Sequence, residues 1–166
     1  MRANLATRLS DPNRGVYFVG TTPPRAEVEK MDMQIIADKL LERLTSIDYD
    51  GLVVYDIQDE SSRNAAPRPF PFKATYDSRE YSSVLTKKSH HPTITYKSVS
   101  ARSKQEFNQW LEQAWTGYGI RNLVLVGSPS SAGTVQLPLK EAYQALENHE
   151  RSFTLGGVAI AERHLS

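Results

Sequence analysis

The chain has 166 residues, 39% apolar and 23% charged, with a formal net charge of +1, which fits one soluble domain built around one sizeable core. The charge is near zero and the longest basic run is Lys87-Lys88, so nothing points to a nucleic-acid or membrane partner. With no cysteine, disulfides, thiolate metal sites and a cysteine nucleophile are excluded, and a cytoplasmic setting is expected.

The opening stretch MRANLATRLSDPNRG has no apolar run of signal-peptide length, and no segment is long enough to span a bilayer. Residues 1–14 read as an N-terminal extension. The first strand is expected in VYFVG at 16–20. Thr22-Pro23 then suits a cap followed by proline in a first turn. A helix is predicted from Ala26 to Ile47, because Val28, Met31, Ile35, Ile36, Leu40, Leu44 and Ile47 recur at helical spacing. The second strand is LVVYD at 52–56. A proline-rich stretch, AAPRPFPF at 65–72, reads as a rigid loop whose Phe70 and Phe72 cap the mouth of the fold. A weaker helix is predicted over Tyr76 to Lys88.

Adjacent His90 and His91 point to opposite faces if extended and cannot easily share a metal ion, so no metal site is expected there. The third strand is TITYKS at 93–98. Lys97 near its end needs a partner if buried, and Asp56 or Asp59 at the next strand end is the expected one. The helix over Ser103 to Trp115 opens on a capping-box pattern, Ser103 with Glu106, and carries Phe107, Trp110, Leu111, Ala114 and Trp115 on one stripe. A turn at Gly117-Tyr118-Gly119 ends it. The fourth strand, NLVLVG at 122–127, runs into a loop of small residues. A helix over Pro138 to Asn148 and a fifth strand in FTLGGVAIA at 153–161 complete the chain.

The strand runs are β-branched or aromatic and nearly continuous, as in strands covered on both faces. Their alternation with helices predicts an α/β fold with a parallel sheet, either doubly wound or part of a (β/α)8 barrel. A full barrel takes about 250 residues. The chain is therefore expected to supply about the first five βα units, as a single domain spanning 1–166. In either architecture the loops after the strands carry function. Those loops bring Thr22, then Asp56, Gln58, Asp59 and Glu60, then Lys97 and Ser98, then Ser128 and Pro129, then Glu162 and His164.

The stretch GIRNLVLVGSPSSAG at 119–133 resembles the fourth βα unit of the methylenetetrahydrofolate reductases, whose pattern runs G-I-R-N-I-x-A-L-R-G-D-P-P. TTPPR at 21–25 looks like that family's E-F-F-P-P-K, and LVVYDIQDESSR at 52–63 sits where the family has V-T-Y-G-A-G-G-S-T-R. TYKSVSARSKQEF at 95–107 resembles H-L-T-C-V-x-A-T-x-x-E-L, and VAIAERH at 158–164 is similar to V-A-x-Y-P-E-x-H. The five motifs occur in order across nearly the whole chain.

The resemblance implies a TIM barrel holding FAD, with NAD(P)H as reductant and a folate-type substrate. The reaction would be reduction of 5,10-methylenetetrahydrofolate to 5-methyltetrahydrofolate, in one-carbon metabolism and methionine biosynthesis. Cofactor contacts would fall to Thr95, Gly127, Ser128, Pro129, Glu162 and His164, and substrate contacts to Thr22 and Gln58. Yet the chain departs from the family where the chemistry is most demanding. The family's general acid falls on Gly20, its aspartate on Ser128, the preceding arginine on Val126, its histidine on Thr95 and its tyrosine on Ile160. Proton donation would then pass to a relocated acid, Asp56 or Asp59, if the chain is a divergent oxidoreductase. The alternative is a catalytically degenerate relative that binds flavin, folate or a protein partner without reductase activity. A homo-oligomer stays open.

Overall fold

The computed structural model describes residues 5–58, 73–127 and 135–159. Five strands form one sheet: β1 (Phe18–Thr21), β2 (Gly51–Val54), β3 (Thr93–Ser98), β4 (Asn122–Val126) and β5 (Thr154–Gly156). They lie side by side in chain order, and every neighbouring pair is parallel. Five helices are described: α1 (Leu5–Leu9), α2 (Lys30–Arg43), α3 (Ser78–Ser89), α4 (Lys104–Thr116) and α5 (Leu139–Glu147).

Sequential order without a reversal distinguishes this sheet from a doubly wound one, which needs a switch point. Crossovers of constant hand place successive helices on the same face. Two apolar clusters line that face. Leu52 and Val54 pack with Met33, Ala37 and Leu44 from the α2 side and with Tyr81 and Leu85 of α3. Leu123 and Leu125 pack with Phe107, Trp110, Leu111 and Ala114 of α4 and with Ala142 and Leu146 of α5.

Between the clusters, β3 turns polar residues to the helices. Ser78 Oγ donates to the Tyr96 carbonyl at 2.6 Å, Thr95 Oγ1 donates to Ser82 Oγ at 2.8 Å, and the Thr86 and Thr93 hydroxyls meet at 3.0 Å. Residues 78, 82 and 86 recur every four positions, so one stripe of α3 is a row of hydroxyls matched to β3.

The α2 helix begins at Lys30, not Ala26, and its core face is Met33, Ala37, Leu40, Leu41 and Leu44. Met31, Ile35, Ile36 and Ile47, expected inside, are exposed. The buried set is centred on Ala37, whose small side chain lets the helix approach the sheet; Met31 and Ile35 lie on the far side of the helix. Capping of α4 is as the pattern predicts, with Ser103 and Glu106 each bonding the other's backbone N–H. Gly119 adopts a φ of 70° in the turn beyond α4, a conformation that favours glycine.

The segment read as an extension carries α1 and is tied to the sheet. Arg8 and Arg14 each place a guanidinium nitrogen 2.8 Å from Asp50, and the Tyr17 N–H donates to the same carboxylate at 3.1 Å. That N–H, aided by the two cations and opposed by desolvation, holds Asp50 below the ordinary carboxylate value. His90, the C-cap of α3, has a φ of 57°, while His91 stacks on Tyr49 with ring centres 4.2 Å apart. Among the described residues no cluster of three or more His, Asp or Glu could hold a metal ion, and no helix is long and apolar enough to cross a membrane.

Candidate functional site

Because all strands run the same way, the residues following them gather at one edge of the sheet. Thr22 follows β1, Asp56 and Gln58 follow β2, and Gly127 follows β4. Thr22 is exposed and Gln58 half-buried. Asp59, Ser128, Pro129, Glu162 and His164, with Phe70 and Phe72, lie outside the described residues.

Thr95 does not belong to this edge. Its side chain is fully buried and bonded to Ser82, so it faces the helix layer. Alternation along β3 sends Tyr96 to the opposite face, away from the helices. Tyr55 stands beside it by register, since Val54 pairs with Thr95. The two rings meet edge-on, 5.0 Å apart. The Tyr55 N–H donates to the Thr21 carbonyl at 3.0 Å, which fixes the first residue beyond β2 against the end of β1. Burial, with Tyr55 and Tyr143 nearby, raises the Tyr96 phenol above its ordinary value, so it stays a neutral hydroxyl at physiological pH.

Gly20 is explained by the same ring. A Cβ at position 20 would lie 3.0 Å from Tyr55 Cε2 and 3.2 Å from its hydroxyl. The Tyr55 ring thus occupies the space in which a side chain at position 20 would project. A row of Tyr55, Tyr96, Val124 and Gly156 then runs across this face near its C-terminal edge, with Gly20, which pairs with Val53, diagonally beside Tyr55. The row is built by the pairings of Tyr96 with Val124 and Val124 with Gly156.

Behind the row lies a charged cluster. Lys97 is 2% exposed, and its Nζ sits 3.2 Å from Asp56 and 3.4 Å from Asp77, over the Trp110 ring at 5.2 Å. The expected partner Asp56 is therefore joined by Asp77, the N-cap of α3; Asp59, the other candidate, lies outside the described residues. Asp77 also accepts from Trp110 Nε1 at 2.8 Å and from the Arg79 N–H at 3.0 Å. Burial would raise the Asp77 carboxyl, but the Lys97 ammonium, the Trp110 N–H and Arg79 outweigh it and hold it below the ordinary value. Trp110 is thus both core packing and a donor to this cluster. Asp56 Oδ2 accepts from the Ser98 N–H at 2.8 Å and from Gln58 Nε2 at 3.1 Å, besides facing Lys97. Its carboxylate is a tie between two strand ends.

The residues missed from sequence are Tyr55, Tyr96 and Asp77. The tyrosines could be read as aromatics at neighbouring ends of two adjacent strands. Asp77 carries only the signal of an N-cap before Ser78.

No protein-family model matches this chain, and no curated protein does. A solved structure does match: an uncharacterized protein from Clostridium thermocellum that binds two copies of 5-methyl-5,6,7,8-tetrahydrofolic acid. It is 32% identical, with a TM-score of 0.70, over 91% of this chain and 46% of that one. The chain thus spans about half the length of that protein, and what the two share is an α/β arrangement that includes this parallel sheet.

Proposed function

We propose that the chain binds a reduced folate such as 5-methyltetrahydrofolate at the C-terminal edge of its sheet, without reductase chemistry. The observation that carries this reading is Tyr55 lying across Gly20. A general acid at that position would have to displace the ring, whereas Tyr55 and Tyr96 together give an aromatic surface of the kind that takes a flat heteroaromatic ligand. The folate bound by the similar solved structure supports the choice of ligand. On this reading the chain is a degenerate relative of the methylenetetrahydrofolate reductases, and further βα units would complete a (β/α)8 barrel around the row of Tyr55, Tyr96, Val124 and Gly156.

FAD fits the described residues less well. Thr95, one of its expected contacts, is sealed under α3, and Asp56, one of the candidates to relocate the acid, is bound to Lys97 and the Ser98 N–H. If FAD were held, Gly127 would be the described residue beside it, and the flavin would supply hydride transfer.

The test is calorimetric titration of the purified protein with 5-methyltetrahydrofolate. Saturable binding is expected, weakened about three- to tenfold by Tyr55→Ala or Tyr96→Ala, as loss of one aromatic contact implies. NAD(P)H should not be consumed when FAD and 5,10-methylenetetrahydrofolate are supplied together. No binding, or folate-dependent oxidation of NAD(P)H, overturns the proposal.

A further inference from the structure

We infer that Gln58 is the residue that selects the lactam edge of the ligand, and that Asp56, anchored by Lys97, is the positioning residue that sets its orientation. The inference rests on the folate reading and adds a determinant of specificity to it. The juxtaposition is that of one carboxylate oxygen with three donors from two strand ends. Asp56 Oδ2 meets Lys97 Nζ at 3.2 Å, the Ser98 N–H at 2.8 Å and Gln58 Nε2 at 3.1 Å.

An isolated glutamine on a loop turns freely and presents either its oxygen or its nitrogen to a ligand. Here the choice is made. A carboxylate paired with an ammonium only accepts, so the nitrogen of Gln58 must face it. Lys97 cannot drift away, being 2% exposed and held on its other side by Asp77 at 3.4 Å. Asp56 cannot rotate without giving up the Ser98 N–H. The carboxamide oxygen of Gln58 therefore points away from Asp56, with the second N–H beside it. That leaves one acceptor next to one donor, in fixed order.

A cyclic amide presents the complement, an N–H donor beside a carbonyl acceptor. The pterin ring of a folate carries such a lactam edge. Replacing its 4-oxo group by 4-amino reverses the donor and acceptor positions, and a carboxamide locked in one orientation would meet like with like. Unpaired or clashing polar groups discriminate more strongly than lost apolar contact.

The experiment compares binding of 5-methyltetrahydrofolate with that of its 4-amino-4-deoxy analogue. Wild type should prefer the 4-oxo compound by about tenfold or more, the effect of one mismatched buried hydrogen bond. Asp56→Ala removes the acceptor that holds the Gln58 nitrogen, so Gln58 is free to turn and the ratio should fall to about threefold or less. Gln58→Ala should abolish the preference, and Asp56→Ala added to it should change the ratio no further. A purely structural role for Asp56 would weaken both ligands alike and leave the ratio intact. A wild-type ratio near one, or a ratio unchanged in Asp56→Ala, overturns the inference. Should Asp56→Ala fail to fold in a thermal melt, Gln58→Ala decides, since a wild-type ratio in that loop variant overturns the inference equally. Absence of any binding by wild type overturns the folate reading itself, and so is distinguishable from failure of this step.

Discussion

Two neighbouring serines on α3 should answer the same substitution with opposite signs. Ser82 Oγ accepts from the Thr95 hydroxyl at 2.8 Å, and both residues are fully buried. Ser82→Ala strands the Thr95 hydroxyl in a dry interior, a cost of about 1–3 kcal/mol. Alanine returns about 0.5 kcal/mol of helix propensity. The net loss is then about 0.5–2.5 kcal/mol. Ser83 Oγ is also buried but has no hydrogen-bond partner among the described residues. Ser83→Ala breaks nothing, relieves a desolvated hydroxyl and gains the same propensity, so it should stabilise by about 0.5–1.5 kcal/mol. Urea denaturation followed by tryptophan fluorescence reads both, because Trp110 is bonded to the N-cap of the same helix. Destabilisation of similar size in both variants would refute the reasoning, since it would mean that α3 responds to lost volume and not to hydrogen bonding.

Lys97→Met removes the buried ammonium that Asp56 and Asp77 share, though Arg79 stays 3.5 Å from Asp77, and should cost about 3–5 kcal/mol by the same denaturation measurement. A loss below about 1 kcal/mol would show that water reaches the cluster. Asp77 gives a pH signature. Its folded value lies below the ordinary 3.8, so its contribution is fully present above that value and disappears as pH falls through the folded one. The stability gap between wild type and Asp77→Asn should therefore stay constant from about pH 7 to 5 and narrow below about pH 4; a gap that widens in acid contradicts the assignment. Gly20→Ala must push the Tyr55 ring aside. As Tyr55 is 41% exposed, the melting temperature should change little while binding of 5-methyltetrahydrofolate weakens about threefold or more. Unchanged affinity would remove Tyr55 from the site.

The strand-and-helix order was legible because its signals are local. The β-branched runs marked β1 to β4 within a few residues, and the Ser103–Glu106 pair fixed the start of α4. What escaped has a common cause. Apolar periodicity assumes that greasy residues define the buried side, yet α3 buries Ser78, Ser82 and Thr86-linked contacts, and α2 keeps Met31 and Ile35 outside. Thr95 went astray for the same reason, since motif position alone does not say on which side of a strand a residue projects. Lys97 was correctly expected to need an acidic partner because an interior ammonium demands one, but the second carboxylate came from a helix cap whose signal says nothing about its neighbours.

The row of matched hydroxyls between α3 and β3 has a consequence for the whole sheet. Greasy surfaces slide over one another at little cost, whereas directional bonds do not. Displacing β3 by one residue would drive Ile94 and Tyr96 under the helix and expel the Lys97 ammonium from between its two carboxylates. A displacement by two would keep the sides but leave each hydroxyl facing the wrong mate. β3 thereby serves as the ruler against which β2 and β4 are laid, and the spacing of every residue at the ligand-facing edge is inherited from it.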